Sequence, residues 1–130
     1  MIAPTITALY GALNAIFNIL LASRVARMRG KHKVGHGGSD AVEFLVASRT
    51  HSNNAEFVPL AIVMMALAEL LGGQSAILHV YGGLLLLARI AHAIGMPRKA
   101  PNVYRLIGVT LTWGLILAVS GWVLYLRTTV

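Results

Sequence analysis

An arginine, an amide and a carboxylate share one helical face in the segment RTHSNNAEFVP, residues 49–59. Asn53 and Glu56 follow Arg49 by four and seven positions, which places all three within about 60° of each other around a helix. The surrounding stretch is apolar, and an ionisable residue at membrane depth costs about 2.5–3.5 kcal/mol even on the most lenient scale, so such residues usually face a protein interior. The spacing therefore predicts a polar pocket inside a membrane bundle.

The composition indicates a membrane protein with a single domain. Of the 130 residues, 57% are hydrophobic and 12% are charged, whereas a soluble domain carries roughly a quarter charged residues. The length allows about four spans of about 20 residues. We therefore expect one all-α domain, residues 1–130, built as a bundle of four transmembrane helices at about 4–26, 40–71, 75–96 and 102–126.

Residue types at the span ends predict how the helices begin and end. Gly72 and Gly73 separate spans two and three, and prolines bracket the turn before span four. Ser39 and Asp40 have the residue types of an N-cap for span two. Glu69, near the outer end of that span, is expected to be solvated.

The basic residues predict the orientation in the membrane. The first loop is assigned Arg27, Arg29, Lys31 and Lys33, and the third loop Arg98 and Lys99, while the second loop has none. The positive-inside rule then places loops one and three in the cytoplasm and both termini outside. The net charge of +7 is explained by this topology and by anionic headgroups, so we expect membrane lipids and no nucleic acid as partners.

Polar residues from three spans are expected to converge in the cytoplasmic half of the bilayer. At 1.5 Å per residue, a similar depth is reached by Arg49, Asn53, Arg89, His92 and Arg105. One glutamate cannot neutralise three arginines. The surplus positive charge predicts an anionic ligand that enters from the cytoplasm.

Four segments resemble the MAPEG family, the membrane-associated proteins in eicosanoid and glutathione metabolism. The pattern Arg49-x-His51-x-Asn53-x-x-Glu56-x-x-Pro59 is similar to the family's second-helix signature. Three further segments resemble, in order, the preceding loop, the third helix and the start of the fourth helix of bacterial members: KVGHGGSDAVEFLVAS, GGLLLLARIAHAIGM and YRLIGVTLTW. The resemblance implies a homotrimer of four-helix subunits, with glutathione bound between neighbours in the cytoplasmic half of an inner membrane.

The resemblance also implies roles for individual residues. Arg49, Asn53 and Glu56 match second-helix contacts to glutathione, and His51 matches a further contact. Arg105 resembles the fourth-helix arginine that stabilises the glutathione thiolate, which makes it the candidate catalytic residue.

Spans one and three supply the remaining candidate contacts. Arg89 matches the third-helix arginine, and His92 occupies a position where members place a histidine or tyrosine against the ligand. Arg24 and Arg27 are explained by topology, and one of them could also close over a glutathione carboxylate. Met96 departs from the family, because the eukaryotic synthases carry a tyrosine there.

The leading interpretation is a glutathione-dependent transferase or peroxidase. Arginines suit the two carboxylates of glutathione and Glu56 suits its ammonium, while a guanidinium favours the reactive thiolate that attacks a lipophilic electrophile or hydroperoxide. A non-catalytic protein that binds lipid or glutathione is an alternative, which the missing tyrosine hydroxyl at Met96 keeps open. An exporter of cationic compounds is a further alternative, but it would need a carboxylate in a pocket poor in positive charge.

Structural roles remain open for the same polar residues. Asn53 could join helices, Arg49 and Glu56 could form a buried pair, and Arg89 could belong to an interhelical pair. We expect no metal site, since the chain has no cysteine and no two of its five histidines lie four residues apart within a span.

Overall fold

The computed structural model describes residues 3–129 as four α-helices joined by short connections. They are α1 (Thr5–Lys31), α2 (Val42–Leu70), α3 (Ser75–Gly95) and α4 (Val103–Leu126). All four are long and apolar enough to cross a membrane. Helix α1 continues past Ala26, the predicted end of span one, so Arg27, Arg29 and Lys31 lie on its last turns. Their assignment to the first loop is therefore wrong.

Helix α2 begins without a side-chain cap and ends at a glycine turn. The hydroxyl of Ser39 accepts a hydrogen bond from the Ala41 amide at 3.1 Å, and no side chain caps the first turn of the helix, so the predicted N-cap is wrong. At the other end, Gly72 has a φ of +81°, in the left-handed region where glycine ends helices most readily. The helix is continuous through Pro59 between these ends.

The helices pack so that α2 and α3 lie between α1 and α4. Helix α1 contacts α2 and α3, α4 contacts the same two helices, and α1 and α4 do not meet within the described residues. The apolar core lies in the half of the bundle next to the α2–α3 turn and consists of Ala61, Met65, Ala68, Leu78, Tyr81, Leu85 and Val119. The opposite half buries polar side chains instead: Thr50, Asn54, Arg89, His92 and Thr112.

Glu69 joins the end of α2 to the start of α1. Its side chain is buried, with only 6% of the residue exposed. The two carboxylate oxygens accept hydrogen bonds from the backbone amides of Ile6 at 2.9 Å and Thr7 at 2.7 Å. These amides belong to the first turn, where a helix has unsatisfied donors and a partial positive charge. The expectation that Glu69 is solvated is therefore wrong, because α1 begins beside the end of α2.

Candidate functional site

A polar pocket opens between α2, α3 and α4 in the half of the bundle with the polar core. Its volume is about 350 Å³, within the range of about 300–1,000 Å³ that is typical of small-molecule sites. It is lined by Arg49, Ser52, Asn53, Glu56, His92, Met96, Arg105 and Val109. The second-span stripe is thus on one wall, and the candidate catalytic arginine and His92 are on the others.

The turn between α3 and α4 holds Arg105 against the end of α3. Asn102 caps α4, since its side-chain oxygen accepts a hydrogen bond from the Arg105 amide at 3.0 Å. The Asn102 side-chain nitrogen donates to the carbonyl of Gly95 at 3.0 Å. A Cβ on Gly95 would collide with the backbone nitrogen of Arg105. The glycine and the asparagine together therefore bring the two helix ends into contact.

A second glycine brings α4 close to His92. A Cβ on Gly108 would lie 2.6 Å from the Cβ of His92, closer than carbon atoms can pack. Because Gly108 and Arg105 are three residues apart on α4, this approach sets both helices around the same pocket.

Arg89 lies behind the pocket, in the centre of the polar core. It is 1% exposed and does not line the cavity. Its guanidinium donates to the side-chain oxygens of Asn54 at 3.0 Å, Asn53 at 2.7 Å and Thr112 at 3.4 Å. Its Nη2 atom also lies 3.3 Å from Nδ1 of His92. Arg89 therefore joins α2, α3 and α4 within the chain, as in the interhelical alternative, and its direct contact with a ligand stays a prediction.

The charged groups of the pocket are free to meet a ligand. Within residues 3–129, both ion pairs use Glu43, which meets Lys31 at 2.5 Å and His32 at 3.2 Å. Arg49, Glu56 and Arg105 therefore form no ion pair in the described chain, and all three are exposed in it. The buried Arg49–Glu56 pair that the sequence left open is not formed. The pocket is therefore lined by two arginines and one carboxylate that form no ion pair with each other.

Three candidate residues lie away from the pocket. His51 follows Arg49 by two positions, so it points to another side of α2. Arg24 and Arg27 are on α1, which packs on the opposite side of the bundle from α4. Within the chain these side chains do not line the cavity that Arg49 and Arg105 share. The expectation that they contact the same ligand thus requires a neighbouring copy.

Sequence reasoning missed the partners of Arg89. Asn54 is fully buried and passes the network on to α1, since its side-chain nitrogen donates to the Asn18 oxygen at 3.1 Å. Thr112 is also fully buried, and its hydroxyl donates to the carbonyl of Gly108 at 2.7 Å. Two features of the sequence could have indicated these partners: the second amide, Asn54, next to Asn53, and the hydroxyl of Thr112 within an apolar span. Among the described residues, no three His, Cys, Asp or Glu side chains are close enough to hold a metal ion.

Comparison with known proteins identifies the family. The sequence model of the MAPEG family matches residues 7–125. This range includes all four helices except the first two residues of α1 and the last residue of α4. The chain belongs to the MAPEG family. MAPEG membership and four long apolar helices make it an integral membrane protein.

Two bacterial proteins are similar to this MAPEG chain along most of their length. Both are described as inner membrane protein YecN, one from Escherichia coli strain K12 and one from Escherichia coli O6:H1. Each is 32% identical over 108 residues, covering 83% of this chain and 82% of the relative. The match supports the bacterial character of the MAPEG resemblance, and the relatives' names state a location and no activity.

Proposed function

We propose that this MAPEG protein binds glutathione in the pocket between α2, α3 and α4 and activates it as a thiolate. The observation that carries the proposal is the free charge in one cavity: Arg49, Glu56 and Arg105 line it without pairing with each other. Glutathione has two carboxylates, one ammonium and one thiol. Guanidinium groups suit the carboxylates through paired hydrogen bonds, and Glu56 suits the ammonium.

Arg105 is the residue proposed to act on the thiol. It lies in the first turn of α4, where the helix N-terminus adds partial positive charge to that of the guanidinium. Both favour the thiolate, the nucleophilic form of a thiol. In a transferase reaction, the thiol proton leaves to solvent and the sulfur forms a bond to an electrophilic carbon, which either expels its leaving group with the bonding electrons or, in an addition, breaks a double bond that then takes up a proton. In a peroxidase reaction, two glutathiones are oxidised to the disulfide while the hydroperoxide is reduced to an alcohol and water.

The second substrate is proposed to come from the lipid. Arg105 also lines a largely apolar groove with Leu106 and Val109, on the outer side of α4. A lipophilic electrophile or hydroperoxide lying there would be next to the thiolate without leaving the membrane.

A homotrimer is proposed because the candidate glutathione-contacting residues of one chain lie on separate faces. Arg24, Arg27 and His51 do not reach the pocket of their own subunit, and a neighbour could supply them. Mass measurement in mild detergent should give a trimer. A chain that is monomeric or dimeric under those conditions would contradict the assembly while leaving the pocket chemistry unaffected.

The relatives' name and the charge distribution support a location and an orientation. We place the chain in a bacterial inner membrane, with both termini outside and with the α1–α2 and α3–α4 connections in the cytoplasm. The pocket then lies in the cytoplasmic half of the membrane, and glutathione would enter it from the cytoplasm. A reporter fused to the C-terminus and active only outside the cytoplasm tests this orientation.

Met96 favours a second candidate function, binding of glutathione or lipid without turnover. It lines the pocket, and the MAPEG resemblance implies that the eukaryotic synthases have a tyrosine hydroxyl at this position. One experiment separates the two functions: the purified chain is titrated with glutathione and followed by ultraviolet absorbance of the thiolate. S-Methylglutathione, which has no thiol, is the matched control.

The result expected for the proposed function is thiolate absorbance that saturates with glutathione and is absent with the S-methyl analogue, together with turnover of a model electrophile. Binding of both compounds without thiolate absorbance would support the non-catalytic function. If neither compound bound, the assignment of glutathione would be wrong.

A further inference from the structure

Arg89 is a buried cation whose partners are all neutral. Its guanidinium contacts two amide oxygens, one hydroxyl and one imidazole, and no carboxylate of the described chain lies within ion-pair distance. A guanidinium has only donors and cannot accept a hydrogen bond. Each partner must therefore present an acceptor to Arg89, which dictates the orientation of its other polar atoms.

The amide of Asn53 is oriented by this rule. Nη2 of Arg89 donates to Oδ1 of Asn53 at 2.7 Å, so the oxygen points into the bundle. Asn53 also lines the pocket. The polar group that it retains for the pocket is Nδ2, which carries two donor hydrogens.

The imidazole of His92 is oriented in the same way. Nη2 lies 3.3 Å from Nδ1 of His92. Because a guanidinium can only donate, a hydrogen bond at this contact requires Nδ1 to accept, which places the proton of a neutral ring on Nε2. His92 is 2% exposed and lines the pocket beside Arg105. Its contribution to the cavity is therefore also a donor.

We propose that Arg89 is a positioning residue that sets the hydrogen-bond polarity of the pocket. Through one nitrogen atom it turns an amide and an imidazole, which could each present an acceptor, into donors toward the cavity. Asn53 and His92 then add donors to those of Arg49 and Arg105, so this part of the pocket selects anionic acceptors, while Glu56 remains the acceptor for a cationic group. The consequence for glutathione rests on the function proposed above, whereas the polarity itself does not.

The same cation extends its effect to α1. Its Nε atom fixes the oxygen of Asn54, whose nitrogen must then donate, and that nitrogen meets the Asn18 oxygen at 3.1 Å. Three side-chain amides and one imidazole are thus oriented by a single guanidinium.

The first test reads the His92 tautomer by nitrogen NMR on the full-length chain in lipid, with isotope-labelled histidine. A His92→Phe variant identifies the signal. In the wild type we expect an unprotonated Nδ1 and a proton on Nε2, in the absence of any ligand. A proton on Nδ1 in the wild type would overturn the proposal, and this measurement needs no variant of Arg89.

Variants of the network separate positioning from general packing. Arg89→Met, which cannot donate, should give a mixture of the two tautomers. Thr112→Val removes another partner of Arg89 but leaves Nη2 in place, and it should keep the wild-type tautomer. An unchanged tautomer in Arg89→Met, or an equal change in Thr112→Val, would overturn the role of Nη2.

The second test connects the polarity to the ligand. Asn53→Asp keeps an oxygen for Arg89 and replaces the donor that faces the pocket by an acceptor. Glutathione affinity should fall by about tenfold or more, as expected for the loss of one hydrogen bond to a charged group, while the His92 tautomer is retained. Equal affinity of Asn53→Asp and the wild type would overturn the donor role of Asn53. If the wild type has the expected tautomer but binds no glutathione, the proposed function fails and the polarity stands.

Discussion

The side-chain oxygen of Asn102 accepts a hydrogen bond from the backbone amide of Arg105 at 3.0 Å. This contact ends the turn after α3 and starts α4 at a fixed position beside the pocket. The residue proposed to act on the thiol is therefore held by the backbone, while its guanidinium remains exposed and free to meet a ligand. We therefore expect the backbone at the start of α4 to position Arg105 and its guanidinium to act on the ligand.

Arg105 should act on chemistry more than on binding. We expect Arg105→Ala to retain glutathione affinity within a few-fold, to lose the thiolate absorbance, and to turn over a model electrophile about tenfold to a hundredfold more slowly, which corresponds to about 1.4–2.7 kcal/mol. Arg105→Lys should recover part of both signals, because charge rather than fork geometry is the main requirement. Turnover of Arg105→Ala at the wild-type rate would rule out this role.

Arg49 and Glu56 should be needed for glutathione binding. Arg49→Ala removes a cation for a carboxylate and Glu56→Ala removes the partner of the ammonium, so both should abolish measurable binding in calorimetry. Arg29→Ala and Lys33→Ala are the controls, since these basic residues lie outside the pocket. Equal affinity in all four variants would mean that the polar stripe on α2 has a structural role only. Because Arg49 and Glu56 are exposed in the subunit, we expect their loss to leave its fold intact.

Gly108 should be needed for the close approach of α3 and α4. Gly108→Ala places a Cβ at 2.6 Å from the Cβ of His92, so the helices must separate, and overpacking of this kind typically costs about 1–3 kcal/mol. Gly114→Ala on the same helix is a matched control, since no atom lies within 4 Å of the added Cβ and helix propensity improves. Unfolding in mixed micelles followed by circular dichroism should show a loss for the first variant only. Equal stability of the two variants would contradict the close packing.

Glu69 should stabilise the start of α1. Glu69→Ala leaves the amides of Ile6 and Thr7 without their acceptor, and hydrogen bonds to charged groups typically contribute about 1.5–3 kcal/mol. Hydrogen exchange should therefore accelerate at these two amides. Glu43→Ala, which removes an exposed ion pair at the other end of the bundle, should leave them unchanged. Protected amides in Glu69→Ala would show that α1 is held by its apolar contacts alone.

The sequence was sufficient to predict the wall of the pocket on α2. Helical periodicity puts Arg49, Asn53 and Glu56 on one side whatever the neighbours are, and the four apolar spans with their glycine and proline breaks followed from composition and turn residues. The depth of Arg105 and His92 followed from counting residues along each span.

Contacts between one helix and another could not be predicted from the periodicity and composition of the sequence. Glu69 has a charge and a position near a span end, which is typical of a solvated residue, and only the pairing of α1 with α2 brings the α1 amides to it. Arg89 has the residue type of a ligand contact, but the rotation of α3 turns it inward toward Asn54 and Thr112. Periodicity gives the angle between residues on one helix and leaves the absolute rotation of that helix undetermined.

The partners of Arg89 have consequences for how the chain enters the bilayer during synthesis. Its two amide partners, Asn53 and Asn54, are on α2, which is made before α3, whereas His92 follows on α3 itself and Thr112 on α4. A lone arginine at the centre of a bilayer costs about 2.5–3.5 kcal/mol on the insertion scale. The order of translation means that when the guanidinium reaches the membrane, two acceptors have already been synthesised. The α2–α3 hairpin can therefore insert with the Arg89 guanidinium hydrogen-bonded to the amides of α2 before α4 emerges from the ribosome.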